Sequence, residues 1–141
     1  MDVEYAFLAD AAQVVEGKLY VLGGGVSQIW AHSFPAMHPM MSLVIKLALH
    51  PMECDHQHKL DIELWDPDGQ RLAQLNGEFS VSREQANLSK PIFAQLVLNI
   101  GNQQFPQPGD YAFHIAANGH HLKTLPICVE RPKPQSSPEP G

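Results

Sequence analysis

VEYAFLADAAQVVEGKLYVLGGG, running from Val3 to Gly25, sets the fold. Two apolar, β-prone runs flank the turn-like Glu16-Gly17-Lys18, and the second run ends in three consecutive glycines, Gly23 to Gly25. The pattern predicts a β-hairpin whose second strand stops where backbone must bend, bulge or approach another backbone closely. A phosphate cradle would need a strand leading into a helix N-terminus, with a lysine nearby. VSQIWAH comes next instead, without a lysine, and continues as strand. A bulge or sharp bend is therefore expected at the glycines.

Beyond this hairpin the chain keeps alternating. In SLVIKLAL, Leu43, Ile45, Leu47 and Leu49 share one face, while Ser42, Val44, Lys46 and Ala48 share the other. Leu60, Ile62 and Leu64 oppose Asp61 and Glu63; Ile92, Ala94, Leu96, Leu98 and Ile100 line up; Tyr111, Phe113 and Ile115 leave His114 outward. Period-two patterning with one polar face is what an antiparallel sheet with one buried side requires. Asp66-Pro67-Asp68-Gly69 reads as a turn, and Asn118-Gly119 as a hairpin joining Tyr111–Ala117 to His120–Val129. Asn76-Gly77 offers another turn or bulge, and Pro126 suggests an edge position for the last strand. No window holds a helical stripe. The fold class is all-β, a single antiparallel β-sandwich of about eight or nine strands.

Length and charge bound the rest. A chain of 141 residues fits one domain able to bury a core without staples. Nine basic and fifteen acidic residues give a net charge of −6, and the cations from Lys18 to Lys133 are scattered singly. Without a basic patch, neither nucleic acid nor an anionic membrane surface is expected as a partner. No apolar stretch is long enough to span a bilayer. Asp2 and Glu4 stand where a secretory signal needs positive charge, so a cytoplasmic chain is expected. Cys54 and Cys128 fit that compartment as reduced thiols, paired only if the fold brings them together. From Glu130 to Gly141, ERPKPQSSPEPG has four prolines and no large apolar residue. It predicts a disordered, polyproline-like tail on a sandwich domain of residues 1–129.

Two resemblances sharpen the fold. PGDYAF, Pro108 to Phe113, places a Gly-x-Tyr at the start of a late strand. It resembles the tyrosine corner of immunoglobulin-like sandwiches, although Phe113 stands where antibody domains place a cysteine. EYAFLADAA, GKLYVLGGG, SFPAMHP, LDIELWDPDG and FPQPGDYAFHI together resemble an uncharacterised bacterial protein family of unknown function. Its A-F-L-A-D … G-K-L-Y-V-x-G-G opening is matched by Ala6 to Asp10, Gly17 to Tyr20, Gly23 and Gly24. The resemblance covers most of Val3 to Val129 and implies an immunoglobulin-like sandwich, with no catalytic residue or ligand. The chain departs from the family at Gly25, Val26, Ser27 and Gln28, where an aromatic-plus-acid pair would follow the glycines.

Three constellations invite chemistry. Met37, His38, Met40, Met41, His50, Met52, Cys54, His56 and His58 are soft or borderline ligands of the kind that suit copper or zinc. Cys54, His56 and His58 would share one side of an extended backbone, but their spacing matches no closed zinc pattern. Because Leu60, Ile62 and Leu64 continue the parity, the same residues read equally as the rim of a buried strand face. The carboxylates around the Asp66 turn are too few for a calcium loop. Ser33 beside His32 makes no nucleophile pair by adjacency, and no Gly-x-Ser-x-Gly elbow occurs. The sequence therefore favours a non-catalytic module binding a protein partner or a second copy, with Trp30, Phe34, Trp65 and Phe93 as candidate anchors. The alternative is a metal- or small-ligand-binding protein using Cys54, His56 and His58 in the 50–58 loop, with zinc or copper as cofactor.

Overall fold

The opening hairpin is the first element of the fold. A computed structural model describes residues 1–84 and 89–133. In it β1 (Asp2–Val15) and β2 (Lys18–Gly24) run antiparallel, with Val15 opposite Lys18. Between them Glu16 and Gly17 both take positive φ, 51° and 76°, as a two-residue turn of the primed type requires. Asn118 and Gly119 repeat that geometry between the last two strands.

The triple glycine is the point where the chain changes sheets. Gly23 has φ of 61°, and a Cβ built there would run into the Asp10 carboxylate folded across it. The Gly25 and Val26 N–H groups both donate to the Leu8 carbonyl, at 2.8 and 2.9 Å. The backbone then leaves β2 for β3 (Gln28–Trp30), which lies in the other sheet. The expected bend is there, and the strand beyond it is only three residues long.

Six longer strands complete the set among the described residues: β4 (Ala36–Leu49), β5 (His58–Trp65), β6 (Arg71–Phe79), β7 (Ile92–Phe105), β8 (Gly109–Ala117) and β9 (His120–Glu130), with a 3-10 turn at Pro51–Glu53. One sheet has the order β2-β1-β4-β7, the other β3-β9-β8-β5-β6. β3 lies parallel to β9, opposite Cys128 to Glu130; every other pair is antiparallel. The two sheets share one hydrophobic core, built from Leu43, Ile45 and Leu47 of the first and Ile62, Phe113 and Ile127 of the second. No helix among the described residues is long and apolar enough to cross a membrane.

Turn chemistry follows the sequence at one site and departs from it at another. Asp66 Oδ1 accepts the N–H groups of Asp68 and Gln70, both at 2.9 Å, closing the Asp-Pro-Asp-Gly turn. Asn76-Gly77, expected as a turn or bulge, instead lies inside β6, with Asn76 opposite Asp61 and Gly77 opposite Leu60. Pairing along the whole of β5 overrides the local turn preference of that dipeptide. Pro126 sits on β9 where β3 does not reach, so its missing N–H costs no ladder bond on that side.

The Tyr111 hydroxyl donates to the Gln107 carbonyl at 2.6 Å and accepts the Gln107 N–H at 3.1 Å. Its ring, 1 % exposed, meets the Phe105 ring edge-on at 4.9 Å. The phenol thus pins the loop that precedes its own strand. Cys54 and Cys128 are free thiols. Of the expected tail, Glu130 ends β9, and residues 134–141 lie outside the described residues.

Candidate functional site

β1 has fourteen residues, but only Asp2 to Ala9 pair with β4. Continuing the register would bring Ala12 opposite Pro39, which has no N–H to give. Beyond Ala9, β1 keeps only β2 as a partner, so residues 10–24 form a two-stranded arm. On this arm Val14, Val15, Tyr20, Val21 and Leu22 are 40, 43, 53, 36 and 72 % exposed. They are five of the ten large hydrophobic residues exposed among the described residues, which concentrates apolar surface at one place.

The arm does not obey the one-buried-face rule of the other strands. Tyr20 opposite Gln13 and Leu22 opposite Ala11 lie on one face, while Val21 opposite Ala12 and Leu19 opposite Val14 lie on the other. A shallow apolar groove crosses it, lined by Ala11, Ala12, Gln13, Tyr20, Val21 and Leu22. β2 is also the end strand of its sheet. Natural edges are usually blunted with lysine, proline or inward charges, and Leu19 to Leu22 carry none.

The four candidate aromatic anchors are dispersed. Trp30 ends β3 and is 55 % exposed; Phe34 packs against the core with the Arg131 guanidinium 5.6 Å from its ring. Phe93 points outward from the first sheet beneath the Lys46 ammonium, 4.1 Å from the ring centre. Trp65 ends β5 on the outer face of the second sheet, where its indole N–H donates to Glu63 at 2.8 Å. These residues do not form one patch.

Nor does the 50–58 loop bring its three candidate ligands together. Cys54 follows the 3-10 turn and is buried, Asp55 takes φ of 62°, and His56 is exposed. The backbone is therefore not extended there, and the parity expected for Cys54, His56 and His58 does not arise. His58 joins the buried face of β5, its ring centre 5.3 Å from that of Phe79 and tilted 35° to it. Its Nε2–H donates to the Glu53 carbonyl at 2.7 Å, and Nδ1 accepts from the Asn118 amide at 2.9 Å, a tautomer assigned from these partners. Both ring nitrogens are committed to holding the loop against the β8–β9 turn. Among the described residues, no group of three or more His, Cys, Asp and Glu side chains is arranged to hold a metal ion.

The outer face of the second sheet carries a polar cluster that no local motif announces. His114 stands opposite Glu63 on β5 and Thr124 on β9. The Thr124 hydroxyl lies 2.8 Å from His121 Nε2 and 3.2 Å from His114 Nδ1, and the His114 ring meets Trp65 at 5.0 Å. Outward alternation of His114 was readable, but its neighbours depended on the strand order. Near the end of β9, burial and the Glu130 and Asp110 carboxylates push the Cys128 thiol up to about 11. That thiol is protonated at neutral pH and is a poor nucleophile.

No curated protein matches the chain. The sequence from residue 4 to residue 130, which takes in both sheets and the arm, matches the family of unknown function DUF6941, and the chain belongs to that family.

Proposed function

We propose that this protein is a cytoplasmic, non-catalytic protein–protein interaction module, built as an immunoglobulin-like sandwich and binding through the β1–β2 arm. The strand order supports the architecture. β4, β5, β7, β8 and β9 occupy the positions of strands B, C, E, F and G, with β1 beside β4 as strand A lies beside B. The Tyr111–Gln107 bonds supply the corner expected near the start of strand F. Free thiols fit a reducing compartment.

The observation that carries the function is the arm: exposed Tyr20, Val21 and Leu22 on an end strand whose outer backbone edge has no partner among the described residues. Such an edge offers main-chain hydrogen bonds for affinity, and its side chains offer selectivity. The test is affinity capture from the source cells with wild type and with a Tyr20→Lys/Leu22→Lys variant matched in thermal midpoint. Partners held by wild type and lost by the variant support the reading. An identical partner set would refute it.

A further inference from the structure

We infer that the arm binds a second copy of this chain by antiparallel pairing of β2 with β2 across a two-fold axis at Val21. This rests on the arm being the binding surface and names its partner. A two-fold perpendicular to the sheet pairs residues of equal parity, so Val21 meets its own copy and Tyr20 meets Leu22 of the other chain. These two are the most exposed large side chains of the arm, at 53 and 72 %, and they lie on the same face. The pair therefore occurs twice in the dimer, each time an aromatic ring beside an aliphatic side chain from the other chain.

Charge agrees with this register. The only charged residue of β2, Lys18, falls opposite Gly24 of the partner strand, and no Asp, Glu, Lys or Arg occurs from Leu19 to Trp30. The nearest acid is Asp10, whose carboxylate lies across Gly23 toward the end of the pairing, away from the axis at Val21. Tyr20, Val21 and Leu22, the exposed apolar side chains that lie on β2 itself, expose on the order of 300 Å² per chain. Doubled, and with the backbone edge added, this stays below the roughly 1,200 Å² at which standard-sized interfaces begin, in the range of weak, transient pairs. The product is one continuous sheet, β7-β4-β1-β2 joined to its symmetry mate, held with a dissociation constant in the micromolar range.

Sedimentation equilibrium of the full chain between about 2 and 200 µM reads this directly. Wild type should pass from monomer to dimer across that range. Val21→Lys and Val21→Glu should each weaken self-association at least about tenfold, because like charges would then face each other across the axis. An equimolar mixture of the two should restore the dimer, an outcome that depends on residue 21 facing residue 21. Val21→Cys should also give an oxidant-dependent covalent dimer in preference to Gln13→Cys. Wild type that stays monomeric at 200 µM overturns the inference, as does a dimer unaffected by both charge variants. If wild type is monomeric while Tyr20→Lys/Leu22→Lys still abolishes capture of cellular partners, the self-pairing falls and the interaction reading stands.

Discussion

Removing one oxygen atom, by Tyr111→Phe, should cost about 2 kcal/mol of stability. The substitution keeps the ring and its edge-on contact with Phe105 at 4.9 Å, so no cavity opens. It deletes a donor 2.6 Å from the Gln107 carbonyl and an acceptor 3.1 Å from the Gln107 N–H. A net hydrogen bond is worth about 1 kcal/mol, and a buried group left unpaired costs about 1–3 kcal/mol. Gln107 is only half-buried, so water recovers part of the loss and the total settles near about 2 kcal/mol. For a chain of this length that lowers the thermal midpoint by about 8 °C. Urea unfolding should show the midpoint shifted with the slope unchanged, since the exposed area on unfolding is the same.

The same phenol makes an alkaline prediction. Burial, with the Asp66 and Asp68 carboxylates adding to it, raises the Tyr111 hydroxyl above its ordinary range despite the Gln107 bond. A group held protonated by the fold contributes stability that is complete below its unfolded value, near about 10, and is lost as pH rises through the folded one. Tyr111→Phe should therefore lose less stability than wild type above about pH 10. Tyr20→Phe, whose ring is 53 % exposed, is the control and should change stability by less than about 0.5 kcal/mol. A Tyr111→Phe protein within about 0.5 kcal/mol of wild type would mean that the corner bond holds nothing.

Glu53 works in the opposite direction: burial raises its carboxyl, but the His50 N–H and the Met1 ammonium outweigh burial and set it below 4.5. Its contribution is present above the unfolded value and disappears as pH falls through the folded one, so Glu53→Gln should flatten the fall in thermal midpoint below about pH 4.5. His58→Ala should cost about 3 kcal/mol, through two hydrogen bonds and the contact with Phe79, while chelator leaves the wild-type midpoint unchanged in calorimetry. Gly23→Ala should cost about 2 kcal/mol in denaturant melts, and Asp10→Ala in the same chain should return the part due to collision with the Asp10 carboxylate.

Much of the sheet structure was legible because strand patterning is local. The face carrying Leu60, Ile62 and Leu64, the Asp66 turn, the Asn118-Gly119 hairpin and the phenol at Tyr111 each depend on residues a few positions apart. Local patterning stopped deciding where a strand's neighbours mattered. Ser42 and Val44 sit on the polar-reading face of SLVIKLAL, yet are 1 and 0 % exposed. β4 is an interior strand, and Phe7, Val97 and Asn99 stand beside them, with the Ser42 hydroxyl donating to Asn99 at 2.8 Å. Cys54, His56 and His58 looked equivalent only while the backbone was taken as extended; the Pro51 turn and the positive φ of Asp55 gave each a different environment.

An all-β chain, most of its strand faces and the turns that join them were written in the order of residues, since period-two alternation and turn chemistry act through adjacent peptides. Which edges meet was settled by tertiary structure. Strand order and register are long-range properties, and they brought His114 to His121 and placed Glu63 opposite His114. They also carried β1 past its last partner on β4, leaving Tyr20, Val21 and Leu22 on an edge with no partner strand among the described residues. Whether an apolar strand becomes core or surface depends on what lies beside it, and that neighbour is chosen by the whole chain.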